Sequence, residues 1–124
     1  MKKFLLIFLF LGSVLAAKAQ TDLDAAAFRS ALETEKNELL VDVRQTWEVK
    51  QGHIAGSVNY DWLADGFMAH FKAVPKDKPV YVYCAVGGRS TEAAEALSKA
   101  GYKKVYNLRG GYKGWEKAGY PVTK

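Results

Sequence analysis

From residue 20 onward, apolar and polar positions alternate in blocks that predict short strands separated by helices. The apolar or β-branched runs that predict strands are at residues 39–43, 57–59, 79–83 and 104–108. Helical spacing, caps and stop signals predict helices at residues 24–34, 62–71, 91–100 and 112–118, and a single helical turn at residues 46–51. This order predicts an α/β fold, a parallel sheet of about four or five strands with helices on both faces.

A parallel sheet brings the carboxyl ends of its strands to one rim, and open sheets of this kind bind ligands there. The residues that leave the predicted strand ends are Arg44, Tyr60, Asp61, Cys84 and the segment 109–111. The pattern therefore predicts that these residues share one rim and that this rim carries the functional site.

The first nineteen residues have the pattern of an export signal. Lys2 and Lys3 precede an apolar run at residues 4–15, and Ala17 and Ala19 form a small-x-small cleavage site. The run is shorter than the roughly 20 residues that a membrane-spanning helix needs, so an uncleaved anchor is the less favoured alternative. We expect a cleaved signal peptide at residues 1–19 and one domain at residues 20–124, exported to the periplasm or secreted by a bacterium.

The charge of the chain argues against one class of partner. The chain has 18 basic and 13 acidic residues, a net charge of +5. Three of the lysines lie in the predicted leader, which leaves 15 basic against 13 acidic residues and a net charge of +2. This balance, without a run of five or more like charges, does not favour nucleic acid, and no membrane contact is expected after cleavage.

The segment CAVGGRS, residues 84–90, holds the only cysteine of the chain. A lone thiol cannot form an internal disulfide, so in an oxidising compartment it is either buried and inert or kept for its reactivity. Gly87 and Gly88 permit backbone turns that direct N–H groups inward, and a helix is predicted to follow. Together with Arg89, this arrangement favours an activated thiolate over the alternative, a core cysteine before a glycine turn.

Three segments of the chain together resemble the rhodanese family, the thiosulfate sulfurtransferases and their single-domain relatives. CAVGGRS is similar to the family's active-site loop. LLVDVRQTWEVKQGHIAGSVNYD, residues 39–61, resembles its first signature, and VYNLRGGYKGWEKAGYPV, residues 105–122, resembles its closing stretch. The resemblance covers essentially all of the chain after the predicted leader.

The resemblance implies sulfur transfer through a persulfide on Cys84. The donor would be thiosulfate or another sulfane compound such as a persulfide, and the acceptor a thiol or cyanide. The loop N–H groups implied to cradle the sulfur belong to Ala85, Val86, Gly87, Gly88 and Arg89. Asp42 is implied as a support residue near the loop, and Arg44 and Glu48 as a structural ion pair.

One feature departs from many active sulfurtransferases, which carry a basic residue just after the cysteine. This chain has Ala85 and Val86 there, which puts thiosulfate in doubt as the donor and favours a persulfide, a polysulfide or a protein-borne thiol. Arg109 is expected to compensate in part if its side chain reaches the rim.

Three other functions remain open to different degrees. A cysteine-dependent phosphatase is disfavoured, because those enzymes place an arginine six positions after the cysteine, whereas Arg89 lies five after Cys84. A non-catalytic binding module of the same fold and a redox-sensing thiol remain as alternatives.

No cofactor or metal is expected. His53 and His70 are the only histidines, and with a single cysteine they offer no metal-ligand set. His53 is expected to be structural. The three tryptophans, at positions 47, 62 and 115, are expected in the core.

Overall fold

The computed structural model describes residues 20–124. Its five strands form one parallel sheet in the order β1-β5-β4-β2-β3. The strands are β1 (Gln20–Leu23), β2 (Leu39–Asp42), β3 (Val58–Asn59), β4 (Val80–Tyr83) and β5 (Val105–Leu108). The α/β class and the parallel sheet predicted from the sequence are confirmed.

Three α-helices and one 3₁₀ helix connect these strands, and a fourth α-helix follows β5. They are α1 (Ala25–Thr34), α2 (Thr46–Gln51), the 3₁₀ helix Phe67–Phe71, α3 (Gly88–Lys99) and α4 (Gly111–Lys117). The side chain of Asp24 caps α1 by accepting a hydrogen bond from the Ala27 N–H at 2.8 Å, as its position before an apolar-periodic segment predicts.

Two elements differ from the prediction in extent. The helix predicted at residues 62–71 is only the short 3₁₀ helix, because Gly66 before it adopts a left-handed conformation (φ 83°) that ends any earlier right-handed turn. The helix predicted at residues 91–100 begins three residues earlier, at Gly88, inside the cysteine loop. The loop is therefore shorter than the sequence suggested, and it continues directly into the first turn of α3.

One strand was missed. β1 has the polar sequence QTDL, lies at the edge of the sheet and pairs only with β5. Its carboxyl end is tied down by the Arg109 N–H, which donates to the Leu23 carbonyl at 2.8 Å.

Apolar clusters cover both faces of the sheet. The face under α3 includes Val41, Val43, Val82, Cys84 and Leu97. The face under α1 and α4 includes Phe28, Tyr81, Tyr83, Leu108 and Trp115. Burial on both faces is typical of a parallel sheet.

The segment after α2 is held by side-chain and backbone contacts. His53 forms an antiparallel bridge with Thr123, and its Nδ1 lies 3.1 Å from the Val49 carbonyl, so its expected structural role is supported. The buried Tyr83 hydroxyl accepts the Ile54 N–H at 3.0 Å and lies 3.0 Å from Ser57 Oγ. Burial raises the pKa of Tyr83 well above its usual value, so this hydroxyl stays neutral.

The predicted signal peptide, residues 1–19, lies outside the described residues. Across residues 20–124, no helix is both long and apolar enough to cross a membrane.

Candidate active site

Cys84 leaves the end of β4, and its neighbours along the sheet bring the other strand ends to the same rim. The Val43 N–H donates to the Tyr83 carbonyl at 2.9 Å, and the Tyr60 N–H donates to the Asp42 carbonyl at 3.0 Å. On the other side, the Tyr112 N–H donates to the Cys84 carbonyl at 2.8 Å. The predicted shared rim is therefore present, with the cysteine loop near its centre.

The sulfur of Cys84 is buried and surrounded by hydrogen-bond donors. Only 1% of the residue is exposed. The Gly87 N–H donates to Sγ at 3.0 Å, and the Ser90 hydroxyl lies 3.3 Å from Sγ. Gly87 reaches this position with φ at 123°, a conformation that side chains disfavour. The glycine in the loop thus serves to turn an N–H group toward the sulfur.

These donors change the acidity of the thiol. Burial by itself raises the pKa of Cys84, but hydrogen bonds from the Ser90 side chain and from the backbone of Ser90, Gly87 and Val86 outweigh it. The pKa of Cys84 is therefore lower than that of an ordinary cysteine, which favours the nucleophilic thiolate. Two of the predicted N–H donors, those of Val86 and Gly87, take part in this effect.

Ser90 is a residue of the candidate site that sequence reasoning missed. It is fully buried in the first turn of α3. Its place directly after Arg89 in CAVGGRS was visible, but only the early start of α3 directs its hydroxyl toward the sulfur.

The loop is supported from below by α4. The Lys113 N–H donates to the Ala85 carbonyl at 3.0 Å, beside the contact between Tyr112 and Cys84. Gly111, with φ at 60°, allows this approach, since a Cβ there would lie 2.5 Å from the Ala85 carbonyl oxygen. The glycine pair before α4 therefore serves close packing against the cysteine loop, which the sequence left undecided.

The ion pairs differ from the expected one. Arg44 does not pair with Glu48. Instead, Arg89 pairs with Glu48 through two contacts, Nη1 to Oε1 at 2.6 Å and Nη2 to Oε2 at 3.0 Å. The reason is geometric: Glu48 on α2 lies within reach of Arg89 in the first turn of α3, whereas the guanidinium of Arg44 is already held by Asp42 and the Gly52 carbonyl. The hydrogen bond from Arg89 lowers the pKa of Glu48 below its usual value.

Arg44 pairs with Asp42 beneath the loop. Nη2 of Arg44 lies 2.7 Å from Oδ2 of Asp42 and donates to the Gly52 carbonyl at 2.7 Å. The guanidinium also lies 4.3 Å from the centre of the Tyr112 ring. Asp42 is fully buried, so this pair is a structural support, and its guanidinium packs against both Tyr112 and Tyr83, the residue before Cys84.

A cavity of about 390 Å³ opens beside the loop, between α2 and α4. Its lining includes Ala85, Trp47, Lys113 and Glu116. Trp47 is 60% exposed, so its predicted core position is wrong, whereas Trp115 is buried as predicted. Lys113 was not predicted, and the exposed Arg109 does not line this cavity.

Within residues 20–124, no group of three or more His, Cys, Asp or Glu side chains is placed to hold a metal ion. The second histidine, His70, packs against an aromatic ring: it stacks on Tyr60 with the ring centres 4.1 Å apart.

Comparison with known proteins places this geometry in a family. The profile of the rhodanese-like domain matches residues 24–118. A protein named "Sulfurtransferase" from Allochromatium vinosum is 33% identical over 102 residues, which cover 82% of this chain and 94% of that protein. A "Thiosulfate sulfurtransferase GlpE" from Tolumonas auensis is 33% identical over 85 residues, covering 68% of this chain and 76% of that one.

A solved structure agrees with these relatives. The crystal structure of a rhodanese-related protein from Thermoplasma volcanium matches with a TM-score of 0.71 and 31% identity, covering 82% of this chain and 96% of that one. Other relatives are longer, and the match spans 59% of one and 61% of another. The strand order, the cysteine loop and these similarities together show that the chain belongs to the rhodanese-like domain family.

Proposed function

We propose that the protein is a sulfurtransferase in which Cys84 carries the transferred sulfur as a persulfide. The observation that carries the proposal is the set of donors around a buried sulfur: the Gly87 N–H at 3.0 Å and the Ser90 hydroxyl at 3.3 Å. These groups stabilise negative charge on Sγ, which favours the nucleophilic thiolate. No general base is then needed to remove the thiol proton during the reaction.

The proposed reaction has two displacement steps. In the first, the thiolate of Cys84 attacks the outer sulfur of a donor. With thiosulfate, the sulfur–sulfur bond of the donor breaks, both bonding electrons leave with sulfite, and a persulfide anion forms on Sγ. In the second, the acceptor attacks the outer sulfur of that persulfide and the Cys84 thiolate leaves. Cyanide would become thiocyanate in this step, and a thiol would become a persulfide.

The loop can also stabilise the form of the enzyme in which Cys84 carries a persulfide. The persulfide anion lies one bond further out than the thiolate, above the N-terminal turn of α3, where backbone N–H groups have no partner within the helix. Gly88 is exposed at this turn, so its N–H is available to the outer sulfur.

The surroundings of the loop favour some donors over others. Val86 is 63% exposed at the mouth, and the guanidinium of Arg89 is held by Glu48 rather than free for an anion. A doubly charged donor therefore meets an apolar residue and a neutralised arginine. We propose a persulfide or polysulfide, free or borne by a protein thiol, as the physiological donor, with thiosulfate as a poorer one.

The proposal includes export of the domain. It rests on the sequence pattern of residues 1–19, which predicts cleavage before Gln20. Expressing the whole chain in a bacterium and sequencing the N-terminus of the protein in the periplasmic fraction tests it. A mature chain that begins at Gln20 supports export, and a cytoplasmic chain that keeps residues 1–19 contradicts it.

Intact-protein mass spectrometry tests the sulfur-transfer reaction. The reduced protein is incubated with thiosulfate or with a polysulfide, beside Cys84→Ser. A gain of one sulfur atom that cyanide removes, and that is absent in Cys84→Ser, is the expected result. A gain with polysulfide alone keeps the mechanism and identifies the donor class.

A protein that gains no sulfur from either donor contradicts the proposal. Oxidation of Cys84 by dilute peroxide under the same conditions would then favour a redox-sensing thiol. An unreactive thiol would favour a binding module that uses the loop to dock a partner.

A further inference from the structure

A directional network of hydrogen bonds connects the edge strand β1 with the sulfur of Cys84. Its central residue is Asn107 on β5, which joins Asp22 of β1 to Thr91 of α3. Asn107 is only 2% exposed. Nδ2 of Asn107 donates to Asp22 Oδ1 at 3.1 Å and to Thr91 Oγ1 at 3.2 Å. The carboxylate of Asp22 is only an acceptor, so the amide must turn its NH₂ group toward it.

The other end of the same amide shows what holds it in place. Oδ1 of Asn107 is the one buried side-chain nitrogen or oxygen in residues 20–124 without a hydrogen-bond partner. Burying a carbonyl oxygen without a donor is unfavourable. The orientation of the Asn107 amide is therefore set by the two hydrogen bonds that Nδ2 donates. In this orientation the amide donates to Thr91, while its own carbonyl oxygen has no partner.

Thr91 passes this direction on to the cysteine loop. Because its hydroxyl oxygen accepts from Asn107, its single proton is directed to the Gly87 carbonyl oxygen, 2.7 Å away. The Thr91 N–H donates to the same oxygen at 3.0 Å. A carbonyl oxygen has two lone pairs. Thr91 thus occupies both acceptor positions of Gly87.

Ser90 has one hydroxyl proton and two acceptors within reach. Its Oγ lies 3.2 Å from the Gly87 carbonyl oxygen and 3.3 Å from Cys84 Sγ. The carbonyl already accepts two shorter hydrogen bonds from Thr91, which leaves the sulfur as the free acceptor. We propose that Thr91, oriented by Asn107, is a positioning residue that directs the Ser90 hydroxyl to the sulfur of Cys84.

As a consequence, Thr91 stabilises the thiolate of Cys84 without touching the sulfur. The Ser90 hydroxyl is the largest of the hydrogen-bond contributions that lower the pKa of Cys84 against the opposing effect of burial. Without the Thr91 hydroxyl, Ser90 can turn to Gly87 and the sulfur loses this donor. The meaning of the network for catalysis rests on the proposed sulfur transfer, but its effect on the thiol does not.

Alkylation of Cys84 by iodoacetamide as a function of pH measures this effect without any sulfur donor. The full-length reduced protein is compared with Thr91→Val, which keeps the shape but removes the hydroxyl, and with Thr91→Ser, which keeps it. We expect the midpoint of the pH profile to move upward in Thr91→Val and the rate near pH 7 to fall about threefold to tenfold. Thr91→Ser should match the parent.

A double-variant cycle separates positioning from a general structural effect. Ser90→Ala removes the donor itself, so Thr91→Val should have no further effect on the profile in that background. An equal effect of Thr91→Val with and without Ser90 overturns the proposal, as does an unchanged profile in Thr91→Val.

Folding of each variant is checked by circular dichroism. If Thr91→Val is not folded, Thr91→Ala replaces it, because alanine is favoured in a helix and also lacks the hydroxyl. Since no sulfur donor is used, a protein that fails to form a persulfide still gives a clear answer here, and failure of the two proposals can be told apart.

Discussion

Glu48 and Arg89 form a two-point ion pair across the rim, with Nη1 and Nη2 of the arginine 2.6 Å and 3.0 Å from the two carboxylate oxygens. Both side chains are partly buried, at 24% exposure for Arg89 and 13% for Glu48. The pair connects α2 with the first turn of α3 and so fixes one side of the cysteine loop. It also means that the guanidinium of Arg89 already has an anionic partner within the protein.

Glu48→Gln should destabilise the protein by about 1 to 2 kcal/mol near pH 7, because the partly buried Arg89 loses its charged partner. The hydrogen bond from Arg89 holds the pKa of Glu48 below the usual 4.5. The stabilisation is therefore complete above that value and is lost as the pH falls through the lower pKa of the folded state. Urea unfolding across this range should show the parent and Glu48→Gln converging in acid.

Glu95→Gln is the matched control for this prediction. Glu95 is exposed on α3 and forms none of the ion pairs found among residues 20–124. Its substitution should change the free energy of unfolding by less than about 0.5 kcal/mol. A difference between parent and Glu48→Gln that stays constant down to low pH would contradict the assigned role of the pair.

Gly111→Ala should distort the cysteine loop. The new methyl group would lie 2.5 Å from the Ala85 carbonyl oxygen and 2.7 Å from that of Cys84, and φ at 60° is itself unfavourable for alanine. We expect a loss of about 2 kcal/mol or more in unfolding free energy and a large loss of sulfur loading on Cys84.

Gly114→Ala is the control on the same helix. A Cβ at Gly114 would meet nothing within 4 Å, and the residue has an ordinary helical φ. Alanine there should be neutral or should stabilise by up to about 1 kcal/mol. If Gly111→Ala proved as harmless as Gly114→Ala, the close approach of α4 to the loop would not support the sulfur site.

The sheet and the cysteine loop were predictable because their signals are local. A β-branched run ending at Tyr83 identifies a buried strand, and glycines after a cysteine identify a turn. β1 was not predictable in this way, because QTDL is a polar edge strand that forms only by pairing with β5. Its pairing partner lies far along the chain, and no local period reveals it.

The ion-pair partners of the two arginines in the site could not be predicted from the sequence. Arg44 had two acidic residues nearby in sequence, Asp42 and Glu48, and spacing alone favoured neither. The position of α2 against α3 determines the pairing. It brings Glu48 close to Arg89, and Arg44 pairs with Asp42. Tertiary packing similarly exposes Trp47 and buries Trp115, although both follow strand ends.

The buried pair of Asp42 and Arg44 should show strong coupling. Asp42→Asn or Arg44→Met alone leaves a buried charge without its partner, and we expect each to cost about 3 kcal/mol in unfolding free energy. The double variant should be less destabilised than the sum of the two, because it leaves no unpaired charge. Urea unfolding of the four proteins measures this, and strictly additive effects would contradict a direct ion pair.

Lys113, rather than Arg109, should be the side chain that attracts an anionic donor. Lys113 lines the cavity beside Ala85 and belongs to none of the ion pairs among the described residues, whereas Arg109 lies outside that lining. Lys113→Ala should raise the KM for thiosulfate about twofold to fivefold, with Arg109→Ala near the parent. Because the attraction is between exposed charges, the effect of Lys113→Ala should shrink as salt is added. Equal effects of the two substitutions, or one that salt leaves unchanged, would mean that the donor does not enter past α4.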